Sequence, residues 1–366
     1  MTDDLSQYAL PGGEPIQPLP KIGLHEHLDG GVRPATVIEL GERLGLALPA
    51  TEPDALADWF HQQCTGGDLV SYLKTFDLTI ACMQTAEGLE RVAMEYVEDL
   101  AADGVVYAEV RWAPEQHLTQ GLTPDEAVEA VQRGIDAGIE SAASRGHDIR
   151  IGQLIDALRQ FDNSRQAAEI ALRFRDRGVV GFDIAGPEAG YPVSRHREAF
   201  DLLAASFLPA TVHAGEADGI ESIRGAILEG RALRLGHGVR IVEDIVVEQD
   251  GGMVTATLGE VAQWVRDREI ALEVAPSSNL QTGAWGRSIE EHPFDLLYQL
   301  GFRVTVNPDN RLMSRTSITR ELAILAEAFD YDLDDLAVFQ LNAAAASFLP
   351  LEDRDALAEL IAEAYA

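Results

Sequence analysis

The residues best suited to chemistry in this chain stand in four short clusters: His25-Glu26-His27-Leu28-Asp29, His213-Ala214-Gly215-Glu216, Gly236-His237-Gly238 and Asn307-Pro308-Asp309-Asn310. Side chains two apart on a strand project to one face, so His25 and His27 can hold one ion between them. By itself an H-x-H pair is served equally well by two separate hydrogen bonds. With His213 and Asp309 at other strand ends, the pattern reads as a metal centre. Three imidazoles and a carboxylate suit zinc and leave a position for water. Glu216, three residues beyond His213, can face the same pocket. Kept from water there, a carboxyl group holds its proton and serves as a general acid; its plainer role is a carboxylate favoured at a helix N-terminus. His237 lies between glycines that let a ligand approach the backbone. It can orient or deprotonate a water at the metal, or simply be a packed core histidine. Gly186 offers a backbone N–H where a side chain would block a pocket, although a strand-end glycine usually marks a turn.

Such clusters need a scaffold that gathers strand ends. Short apolar stretches alternate with longer amphipathic ones from residue 20 to 310, the pattern of βα units. Strands are expected at 20–28, 105–113, 149–157, 178–186, 209–215, 233–238, 269–276 and 302–307. Their near-continuous apolar runs suit parallel strands covered on both faces. Eight of them fit a (β/α)8 TIM barrel, which places its site at the C-terminal strand ends. Two or three helices are expected between the first two strands. One at 68–83 carries Leu69, Tyr72, Leu73 and Phe76 at helical spacing, and one at 86–103 carries Val92, Met94, Tyr96 and Val97. Two β-rich runs around Asp250-Gly251-Gly252 read as an added hairpin at 245–257. From Ser317 onward the pattern is helical. No linker or repeat divides residues 1–366, so one domain is expected.

Composition removes other classes. The chain has 366 residues, 46% hydrophobic and 24% charged, which excludes disordered and fibrous types. No apolar run reaches the roughly 18 residues that span a bilayer, and no secretory signal is visible, so a cytoplasmic location is expected. A net charge of −33 repels phosphate backbones and anionic membranes, which argues against nucleic-acid or membrane partners. Lysine occurs only at Lys21 and Lys74, so a phosphate-binding GxxxxGK loop is absent. No lysine stands near the fourth strand end, Asp183-Ile184-Ala185-Gly186, to bridge two ions, which favours a single metal. Cys64 and Cys82 stand 18 residues apart in helical sequence, so the cysteine-ligated deaminase pattern, H-x-E with P-C-x-x-C, is absent.

Taken in order, PKIGLHEHLDGGVRP, YAEVRWAP, GFDIAGPE, TVHAGE, RLGHG, LEVAPSSN…TGA and VTVNPDN resemble the adenosine deaminases, of the purine-deaminase branch of the metal-dependent amidohydrolases. The resemblance runs from about residue 20 to the NAAAASFL segment near 341–348. It implies one zinc held by His25, His27, His213 and Asp309, with His27 also beside the substrate. It implies Glu216 as proton donor to purine N1, and His237 with Asp309 acting on the zinc water. It further implies that Asp29 contacts the ribose, Gly186 meets N3 and Asn310 meets N7, with Leu69, Tyr72, Leu73 and Phe76 forming an apolar gate. The implied reaction converts adenosine or 2′-deoxyadenosine to inosine or deoxyinosine and ammonia. Asn310 replaces the family's usual second aspartate, Pro187 stands where an acidic residue is common, and the 245–257 hairpin looks like an insertion. Deaminases of free adenine, of AMP or of a 5′-modified adenosine are the nearest alternatives, followed by a catalytically silent nucleoside-binding relative. Asp29 favours a nucleoside, because a ribose hydroxyl can donate to it and free adenine offers nothing there.

Overall fold

The computed structural model describes residues 4–250 and 253–366. Its strands are β1 (Lys21–His27), β2 (Val105–Trp112), β3 (Arg150–Leu158), β4 (Val179–Ala185), β5 (Thr211–Ala214), β6 (Arg234–His237), β7 (Ile245–Asp250), β8 (Met253–Leu258), β9 (Ala271–Val274) and β10 (Val304–Val306). Two parallel four-stranded sheets run β1-β2-β3-β4 and β10-β9-β6-β5. Parallel bridges between Phe182 and Ala210, and between Glu26 and Asp309, join them at both edges. The result is a closed ring of eight parallel strands, as the sequence pattern leads one to expect. Several strands are shorter than their expected runs; β5, for example, leaves out Pro209, Ala210 and Gly215.

Side chains rather than long ladders seal the join between β1 and β10. Asn307 Oδ1 accepts the amides of Leu24 (2.9 Å) and His25 (3.1 Å). From the helix Leu333–Ala346, Gln340 accepts the Ile22 amide at 2.8 Å and Asn342 donates to the Val304 carbonyl at 3.0 Å. Extra helices at the C-terminus thus cover the seam. Inside the ring runs a column of buried charge. Arg234 pairs with Glu109 and Glu273, while Arg111 donates to Glu273 at 2.8 Å and to Asp183 at 2.7 Å. All five side chains are essentially inaccessible. Removing one partner of such a buried set costs about 3–5 kcal/mol, because the other charge is left unpaired.

Between β1 and β2 the expectation needs correcting. Five helices stand there, Pro34–Leu44, Pro53–Cys64, Leu69–Leu73, Phe76–Cys82 and Ala86–Ala102. The expected helix 68–83 is two short ones separated at Lys74-Thr75. Thr75 donates its hydroxyl to the Tyr72 carbonyl at 2.7 Å, a local bond that competes with the helical ladder. The expected hairpin is present, with β7 and β8 antiparallel from Ile245 opposite Leu258 to Asp250 opposite Met253. Its turn glycines, Gly251 and Gly252, lie outside the described residues. No helix among the described residues is long and apolar enough to cross a membrane.

Candidate metal centre and active site

At the C-terminal rim, β1 supplies His25 and His27, β5 supplies His213, and the turn after β10 supplies Asp309. His27 Nε2 lies 3.3 Å from His213 Nε2. His25 Nε2 and His27 Nε2 each lie 3.3 Å from Asp309 Oδ1. His25 Nε2 and Asp309 Oδ1 are buried and have no hydrogen-bond partner among the described residues. A tetrahedral ion with bonds of about 2.0–2.1 Å requires neighbouring donors roughly 3.3 Å apart, so the donor set fits zinc in both chemistry and spacing. His237 joins His25 and Asp309 in a second, overlapping group of possible ligands.

Sequence reasoning missed the carboxylates behind these imidazoles. His25 Nδ1 meets Glu273 Oε2 at 2.9 Å, and His213 Nδ1 meets Asp183 Oδ2 at 2.9 Å. Asp156 Oδ2 stands 3.9 Å from His27 Nδ1. An acceptor at Nδ1 draws the ring proton there and turns the Nε2 lone pair to the centre, the usual support of a metal-binding histidine. Isolated acidic residues inside apolar strands, Asp156, Asp183 and Glu273, were the available signal. Burial, then the neighbouring Arg111 charge, lowers the His25 pKa to about 4, so its ring is neutral. Burial alone would raise the Asp309 carboxyl, but the neighbouring imidazoles, His25 first, then His27 and His237, hold it well below the ordinary range. Ser278 donates to its second oxygen at 2.6 Å. Asp309 (φ 60°) and His237 (φ 63°) both have left-handed backbones, which cost a non-glycine residue about 1–3 kcal/mol.

The centre opens into a cavity of about 190 Å³ lined by His27, Asp29, Gly186, Glu216, His237 and Asn310. Leu69, Tyr72, Leu73 and Phe76 also line it, so the four apolar residues expected at its mouth are brought there together. Glu216 is 4% exposed, with Oε1 3.6 Å from His237 Nε2. Burial raises its pKa, and the Asp309 charge adds to this against the opposing His237 and His213. Its loop is tethered by Glu188, also missed in the sequence. That carboxylate accepts the amides of Gly215, Glu216, Ala217 and Asp218 at 2.6–3.0 Å. Burial pushes the Asp29 carboxyl up to about 7. Gly186 has φ 89°, a backbone conformation in which any side chain is strained. Asn310 packs its Oδ1 against Gly30, where a methyl would approach to 1.9 Å.

Comparison with known proteins agrees with this geometry. The family model described as adenosine deaminase matches residues 20–364. Adenosine deaminase 1 of Streptomyces coelicolor is 53% identical over 348 residues, covering 95% of this chain and 87% of that protein. Adenosine deaminase of Mycobacterium tuberculosis strain H37Rv is 52% identical over 350 residues, covering 95% of each chain. Among solved structures, a cog1816 amidohydrolase from Burkholderia ambifaria with bound Zn superposes with a TM-score of 0.82 at 24% identity, over 96% of this chain and 91% of that one. A family model spanning nearly the whole barrel, with relatives above half identity over the same span, leaves one assignment: this chain belongs to the adenosine deaminase family.

Proposed function

We propose that this chain hydrolytically deaminates adenosine and 2′-deoxyadenosine to inosine or deoxyinosine and ammonia in purine salvage, with one zinc held by His25, His27, His213 and Asp309. The observation that carries this is a cluster of four donors, three of whose pairs lie 3.3 Å apart, beside a buried carboxyl whose pKa is raised. A bound zinc supplies Lewis acidity that brings the pKa of a water to about 7. The remaining chemistry is the protein's own. Glu216 delivers a proton to purine N1, which drains electron density from C6 and opens it to attack by water. His237 and Asp309 hold that water, and the apolar mouth excludes competing solvent. The Gly186 amide meets N3, Asn310 donates its NH2 to N7, and Asp29 takes a ribose hydroxyl. The two relatives compared above, both named adenosine deaminases, support the same substrate.

A panel of adenosine, 2′-deoxyadenosine, adenine, AMP and 5′-modified adenosines tests this by the loss of absorbance that accompanies deamination. Adenosine and 2′-deoxyadenosine are expected to react best; faster turnover of adenine or AMP would overturn the substrate assignment. Within that panel, Asp29→Ala is expected to raise KM for adenosine by an amount worth about 1–3 kcal/mol and to leave slow turnover of adenine nearly unchanged. An equal loss on both would make Asp29 a support of the metal site.

Asn310 carries a separate expectation. A neutral amide can donate to N7 without the proton that a carboxylate would need between two acceptors. Asn310→Leu should therefore keep the metal but weaken adenosine binding by about 1–3 kcal/mol. Equal affinity of the parent protein for adenosine and its 7-deaza analogue would show that Asn310 does not read N7.

A further inference from the structure

Behind Nδ1, His25 and His213 each have a carboxylate oxygen at 2.9 Å; His237 has a donor. Its Nδ1 lies 3.0 Å from Asn279 Nδ2. The direction of that contact is settled by two backbone amides, which unlike side-chain amides cannot be reversed. The first is Phe294 N–H, which donates to His292 Nδ1 at 3.2 Å. An imidazole accepting at Nδ1 carries its proton on Nε2 when neutral. Burial, then the nearby His237, pushes the His292 pKa down to about 3, so this ring is neutral. His292 Nε2–H then faces Asn279 Oδ1 at 3.3 Å. Independently, Ala275 N–H donates to the same oxygen at 3.3 Å. Both contacts make Oδ1 the acceptor, which leaves the Asn279 NH2 turned to His237 Nδ1.

We infer that this chain of hydrogen bonds, from the Phe294 amide through His292 and Asn279, holds His237 as the tautomer with its proton on Nε2, so that His237 donates to the reacting water and does not deprotonate it. The donor role rests on the reading above, in which His237 faces that water. Partner polarity thereby sorts the two overlapping ligand groups. His25 and His213, backed by Glu273 and Asp183, present a lone pair to the centre. Backed by an amide NH2, His237 presents an N–H and is not a ligand. Asn279 and His292 are positioning residues, acting through His237 without touching substrate.

Nitrogen-15 NMR of the zinc-loaded protein with labelled histidine tests this directly, with the His237 signals assigned from their absence in His237→Asn. The expected pattern is a bare Nδ1 and a protonated Nε2 at both His237 and His292. A protonated Nδ1 with a bare Nε2 at His237 would overturn the inference without any variant having to fold. Asn279→Asp keeps the shape but offers only acceptors, so it should draw the His237 proton onto Nδ1. The zinc content should stay the same, and kcat should fall at least tenfold with little change in KM, since a wrong tautomer can cost up to about 10⁴ in kcat. An unchanged His237 signal in that variant would equally overturn the relay. If the expected tautomer is found but adenosine is not deaminated, the functional reading and the donor role fail while the relay stands. Deamination with the opposite tautomer sinks the relay alone.

Discussion

His213→Ala is expected to lose both the metal and measurable turnover. Elemental analysis of the purified parent should find one zinc per chain, and the variant should retain almost none. The donors come from β1, β5 and the turn after β10, so removing His213 deletes the whole contribution of one side of the ring. Substituting even an outer partner of a metal ligand typically costs about 10–100-fold in affinity or activity, and an inner donor should cost more. An ion bound only by the folded chain also adds stability, about 2.7 kcal/mol at a hundred times its dissociation constant. Chelation of the parent should therefore lower its melting temperature, whereas the variant should melt alike with and without chelator. Two tightly bound ions, or full activity after thorough chelation, would refute the single-zinc centre.

Glu216→Gln should separate chemistry from binding. The amide keeps the size of the carboxyl and the Glu188 tether of its loop, so zinc content and purine affinity should persist. What it cannot do is give up a proton to N1, and kcat should fall roughly a hundredfold or more, the scale of a positioned general acid. A group that must be protonated works until pH rises through its pKa. Burial raises that of Glu216, which keeps the acid form available further toward neutral pH. The alkaline limb of the parent's kcat/KM profile should therefore lose this ionisation in Glu216→Gln. A variant nearly as active as the parent would assign N1 protonation to another group.

Much of this architecture is legible in the chain itself. Apolar runs separated by amphipathic stretches announce a barrel, because strands covered on both faces admit few polar residues. The proposed ligands are legible for the opposite reason: His25, His27, His213 and Asp309 stand where those runs end. Their supports are harder to read. Glu273 reaches His25 across the barrel interior, a contact set by how distant strands are arranged around the ring and by no local spacing. Glu188 sits one residue beyond Pro187, where the family pattern breaks, and its function shows only once the loop 215–218 folds over it. The split at Lys74-Thr75 depends on one hydroxyl choosing a nearby carbonyl, which periodicity does not register.

The seam between β1 and β10 bears on how this protein is made. The bond from the His25 amide to Asn307 joins residues 282 positions apart, and the same turn carries Asp309. A ribosome therefore releases nearly the whole chain before either the ring or the donor set can exist. A nascent chain that stops short of residue 304 has an open edge on β1, the kind of edge that invites pairing with other chains, and lacks one of the four proposed ligands. Closure of the barrel and the fourth proposed ligand thus depend on the same short stretch of chain, residues 304–309. On this reading, the fraction of molecules able to retain zinc after purification doubles as a count of molecules whose synthesis and closure ran to the end.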